Sequence, residues 1–106
     1  MCCDDLEFIK QCVTDGRIFW SYHSNMRLQS RFISREEVLK SVKNCEIIES
    51  YPNDFPLPSC LCLSSDHKSN PIHYVIGMDK VSQNIRFVTI YRPDPNKWKT
   101  GFRERK

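Results

Sequence analysis

Ile72-His73-Tyr74-Val75-Ile76-Gly77-Met78, then Lys80-Val81-Ser82-Gln83-Asn84, then Ile85-Arg86-Phe87-Val88-Thr89-Ile90-Tyr91-Arg92: this run decides the fold. Two segments rich in apolar and β-branched residues flank a connection of hairpin length, the pattern of paired antiparallel strands. Working backwards, Cys60 to Ser64 reads as another strand, joined by the polar stretch Asp66 to Asn70. Glu46-Ile47-Ile48-Glu49-Ser50-Tyr51 reads as the first strand of the series. Between these two, Pro52 through Pro58 holds three prolines and is a loop, because proline cannot supply ladder hydrogen bonds. Working forwards, Pro93 ends the last strand, and Trp98 and Phe102 are expected to fold back as anchors.

The first half of the chain has a different period. Asp4 with Glu7 three residues on forms a capping-box arrangement, Leu6, Ile9 and Val13 follow at helical spacing, and Gly16 is a stop. A second helix is predicted from roughly Phe19 to Arg31, with Phe19, Tyr22, Met26 and Ile33 as its apolar stripe. A third starts at Ser34, where Glu37 can reciprocate the cap and Ile33 can staple onto Val38. Helices followed by hairpin-linked strands predict an α+β domain, residues 1–106, with the N-terminal helices on one face of a four-stranded, mainly antiparallel twisted sheet. The opposite face is expected to stay open and concave, as the place for a substrate.

One hundred and six residues can bury a single core without metal or disulfide staples. The net charge of +3 is mild but uneven. From Arg86 to Lys106 seven basic residues face Asp94 and Glu104, a net of +5, whereas residues 1–16 carry −3. That asymmetry points to an anionic partner for the later part of the chain. No apolar run approaches the ~18 residues that a membrane span needs, and no leader pattern opens the chain, so a cytoplasmic protein without a membrane partner is expected. Six cysteines in that setting are expected to be thiols. Cys60-x-Cys62 lacks the second pair that a structural zinc site uses, so no metal or other cofactor is expected.

His23, Arg27 and Arg31 stand four residues apart. At ~100° per residue, steps of four keep all three on one side of a helix, at the rim of the apolar stripe. A titratable imidazole followed by two permanent cations is suited to a phosphate ester.

His23-x3-Arg27-x3-Arg31 followed by Ile33-Ser34-x-Glu36-Glu37-Val38 resembles the opening of the family called domain of unknown function 4258. Pro71-Ile72-His73-Tyr74-Val75, Val88-Thr89-Ile90-Tyr91-Arg92-Pro93-Asp94 and Trp98 match its later hallmarks in order and spacing. That family is similar to the barnase–RelE-like group of small RNA-cleaving folds. The resemblance implies a ribonuclease, or the toxin of a toxin–antitoxin pair whose antitoxin masks the working face. The better-known toxins of this shape use lysine, tyrosine and arginine sets, where this chain offers histidines and arginines.

Metal-free RNA cleavage needs a base for the 2′-hydroxyl, an acid for the leaving oxygen and cations for the crowded phosphate. The expected catalytic set is His23, Arg27, Arg31, His73 and Tyr91, with Arg92, Trp98 and Arg103 binding single-stranded RNA. Each residue also has a structural alternative. His23 could cap the apolar stripe, Arg27 and Arg31 could pair with Glu36, Glu37 or Glu46, and Arg92 could contact Asp94. His73 and Tyr91 could be packing residues, Trp98 and Phe102 could be buried against the sheet, and His67 is expected to be idle. The alternative function is a non-catalytic module that binds a nucleic acid or an acidic protein.

Overall fold

The computed structural model describes residues 2–22, 24–26 and 33–106. Helix α1 spans Cys2–Asp15, beginning before the expected cap at Asp4. Ile9 and Cys12 are fully buried, and Leu6 and Val13 pack beside them, so the predicted stripe faces the core. Gly16 ends the helix at φ 72°, a left-handed conformation that glycine adopts without a Cβ clash.

The next segment departs from expectation. Ile18–Trp20 is a short strand, β1, rather than the start of a helix. β-branched and aromatic side chains suit a pleated surface, and strand pairing overrides the helical spacing that Phe19 shares with later residues. Phe19 and Tyr22 are exposed as a result and form no buried stripe. Residues 22 and 24–26 are helical. His23, Arg27 and Arg31 lie outside the described residues.

Helix α2, Arg35–Ser41, is capped as expected: the Ser34 hydroxyl accepts the Glu37 N–H at 3.0 Å. Val38 on α2 and Val42 on the following 3-10 turn, Val42–Asn44, enter the core beside Ile33.

Four longer strands follow: β2 Glu46–Tyr51, β3 Ser59–Ser65, β4 Pro71–Asp79 and β5 Asn84–Tyr91. Among the described residues the sheet has five strands in the order β1-β5-β4-β3-β2, not four. β2 to β5 pair antiparallel, and β1 adds in parallel to β5, which makes the sheet mixed. One face packs on the helices through Cys60, Cys62, Ile72, Tyr74, Ile76, Ile85, Phe87 and Ile90. Cys12, Cys45, Cys60 and Cys62 are buried free thiols, and the Cys60 and Cys62 sulfurs are 3.7 Å apart on this face. No helix among the described residues is long and apolar enough to cross a membrane.

Candidate functional site on the outer sheet face

The outer face carries His73, Val75 and Gly77 on β4, opposite Tyr91, Thr89 and Arg86 on β5. Strict alternation would place Arg86 with Ile90 in the core. A bulge between Val75 and Ile76 of the register inserts one extra residue on β5, and Arg86 moves to the outer side with Tyr91.

This face is open only in part. Residues 98–106 fold across the end that holds His73, whose exposure is 0%. The Phe102 carbonyl lies 2.9 Å from His73 Nε2, so that nitrogen must carry the proton and donate it. Nδ1 is then the acceptor, and the Tyr91 hydroxyl donates to it at 3.1 Å. Trp98 packs edge-on to the imidazole, with ring centroids 4.5 Å apart.

Burial pushes the His73 pKa below its ordinary value and the nearby Arg105 guanidinium adds to this, against the opposing pull of the Phe102 carbonyl and Glu49. The fold therefore prefers neutral imidazole. Its stabilising effect is complete above the ordinary imidazole range and is lost as pH falls through that range. Between pH about 7 and 5 the melting temperature should fall more steeply for the wild type than for His73→Gln. Parallel curves from the two proteins would show that His73 is not the titrating group.

Two carboxylates of β2 border the same end. Arg103 pairs with Glu46 at 2.6 Å, and Arg105 holds Glu49 through Nε at 2.9 Å and Nη2 at 3.0 Å. The Arg105 hydrogen bond, joined by the Tyr51 hydroxyl, keeps the Glu49 carboxyl below the usual range despite its burial. Arg105 also lies over the Trp98 ring, 4.7 Å from its centroid. Burial pushes the Tyr91 hydroxyl upward, so it stays protonated as a donor.

The other end of the face is a groove of about 270 Å³ between the loop 52–58 and β5. Leu57 covers Gly77, where an added Cβ would meet its side chain at 3.4 Å, so the close neighbour that glycine admits is this leucine. Phe55 stands at the groove with 90% of its surface exposed. Arg86 lines the groove, and its side chain has no hydrogen-bond or ion-pair partner among the described residues. Ser21 closes one side, donating its hydroxyl to the Val88 carbonyl at 2.8 Å.

The expected site is thus divided. His73 and Tyr91 are brought together, and Trp98 and Arg103 lie at the same end as part of the cover. Arg92 is turned away from them: it pairs with the carboxylate of Asp66 at 2.8 Å and the Pro71 carbonyl at 3.3 Å, not with Asp94. Burial pushes Asp66 up, but the backbone N–H groups of Asn70 and Lys68 and the Arg92 guanidinium outweigh it and lower its pKa. His67, expected to be idle, contacts the Glu37 carboxylate. Glu49, Arg105, Arg86 and Phe55 were not singled out from the sequence. The run of basic residues from Arg86 to Lys106 is the signal that touches two of them, Arg86 and Arg105. No group of three or more His, Cys, Asp or Glu side chains among the described residues is placed to hold a metal ion.

Among known proteins, the family described as Domain of unknown function (DUF4258) matches residues 20–92. No curated protein and no solved structure matches the chain.

Proposed function

The chain belongs to the DUF4258 family, and from that premise we propose that it is a small metal-independent endoribonuclease of the barnase–RelE-like kind, acting on single-stranded RNA. One observation carries the reading furthest. A histidine–tyrosine pair and an unpartnered arginine share the outer face of the same two strands. Gly77, opposite Arg86, lies four residues beyond His73, a separation of about 13 Å at the rise of a β-strand. A short segment of unpaired RNA can span that distance along the face.

The chemistry divides along the same line. Arg86 offers a planar fork to a phosphate, and exposed Phe55 offers a stacking surface worth about 1–3 kcal/mol per base. His23 supplies a proton-transfer group, and Arg27 and Arg31 neutralise charge on the phosphorane. His73 and Tyr91 complete the proton relay. As a toxin, the protein would work in the cytoplasm and its antitoxin would cover this face.

Cleavage of a mixed-sequence single-stranded RNA should proceed with a chelator present. Arg86→Ala should slow it by about 10–100-fold, the worth of a hydrogen bond to a charged group. No product from the wild-type protein at any RNA concentration would sink the proposal. A second reading has its own supporting observation, the complete burial of His73 with both ring nitrogens occupied. In that reading the same face binds an anionic partner without cutting it, and binding weakens with salt while no product accumulates.

A further inference from the structure

We propose that residues 98–106 are a self-inhibitory strap that closes the His73–Tyr91 pair to RNA and lifts to admit it. This regulation rests on the nuclease reading above.

The strap is built to be separable from the fold. Its main-chain hydrogen bonds run within itself and to the segment just before it: Lys99 N–H to the Glu104 carbonyl at 2.8 Å, Lys106 N–H to the Lys97 carbonyl at 3.0 Å and Trp98 N–H to the Asp94 carbonyl at 3.1 Å, with Trp98 and Arg105 bridged as an antiparallel pair. It adds no strand to the sheet, so lifting it breaks no ladder. Trp98 is 4% exposed yet lies outside the core cluster, so its burial comes from the outer face and from Arg105 of the strap, which lies over its ring.

Its anchors are of a kind that RNA can replace. Arg103 and Arg105 pair with Glu46 and Glu49 while their own side chains stay 59% and 60% exposed. Such ion pairs are weak because water screens them. An RNA phosphate can present to Arg105 the two oxygens that Glu49 does, and to Arg103 the single oxygen that Glu46 does. Substrate can therefore compete for the two arginines and draw the strap off β2. The turn of the strap also holds Gly101 at φ 91° and Phe102 at φ 60°. The second is a left-handed conformation that a side chain opposes, and it accompanies the aim of the Phe102 carbonyl at His73. Lifting relaxes that turn and frees Nε2, the ring nitrogen that the carbonyl occupies.

The test uses the full chain with Trp98→Ala, and, as a variant that leaves the buried anchor and both arginines in place, Glu46→Gln with Glu49→Gln. Two quantities are read: acylation of His73 by diethyl pyrocarbonate, located by mass spectrometry, and the rate of RNA cleavage. Both should rise about tenfold as the fraction of open protein grows. If Trp98→Ala fails to fold, the double glutamate variant decides the matter by the same readouts. Equal His73 acylation in wild type and variant would show that the strap is no cover, whatever the activity. Faster acylation with unchanged cleavage would make the strap merely structural and overturn the proposal. Cleavage by none of the proteins would overturn the nuclease reading, and the inhibitory role with it.

Discussion

Replacing His23 with alanine should lower RNA cleavage by about 10²–10⁴-fold, the usual worth of a positioned general acid or base. The argument begins in the sequence. His23 heads a series with Arg27 and Arg31 at intervals of four, so in a helix one proton-transfer group and two cations share a side. An imidazole with a pKa near ~6.5 exchanges its proton close to neutrality, which neither arginine can do. Tyr91→Phe should cost far less. It removes the hydroxyl that donates to His73 Nδ1 and leaves the imidazole itself in place. The check is the pH profile of kcat/KM for wild type, His23→Ala and Tyr91→Phe with a chelator present. A limb in the imidazole range should be present in the wild type and lost with His23. Full activity in His23→Ala would remove that residue from the mechanism.

What the sequence revealed depended on whether local chemistry or long-range pairing set the outcome. The Ser34 cap was legible because a hydroxyl and an amide three residues apart need nothing from the rest of the chain. The antiparallel order of β2 to β5 was legible because short connections leave adjacent strands few other partners. β1 was not. Ile18–Trp20 becomes a strand because the edge of β5, distant in sequence, offers it a ladder. Arg86 was hidden by the bulge at Val88, which reverses the side on which each earlier residue of β5 emerges. Period-two reading carries no sign of where such an insertion falls. The fold-back of Trp98 is legible in the sequence, but its partners are not, because Glu46 and Glu49 attract residues that lie more than fifty positions away. His23, Arg27 and Arg31 remain a sequence argument, outside the described residues.

Phe87→Ala should destabilise the fold by about 3–5 kcal/mol, the cost of truncating a large ring in a packed core. Phe87 is fully buried on β5, between β1 and β4. Trp20 of β1 stacks on it at 4.5 Å with ring planes 13° apart, and Tyr74 of β4 meets it edge-on at 5.6 Å. Each such aromatic pair adds about 0.5–1.5 kcal/mol beyond the area it buries. Its backbone carbonyl accepts the Ser21 N–H at 3.1 Å, which fixes the chain just before His23. Because a domain of this size is stable by only about 5–15 kcal/mol, the loss consumes a large part of the whole. Val81→Ala is the matched control: Val81 is 96% exposed, and its loss should change stability by less than about 0.5 kcal/mol. Urea denaturation of the two variants and the wild type measures both. A Phe87→Ala cost below about 1 kcal/mol would mean that β1 and the ring stack contribute little. With the expected cost, the variant should lose RNA cleavage on warming well before Val81→Ala does, because β1, which pairs with Arg86, and Ser21, which lines the Arg86 groove, lose their support together.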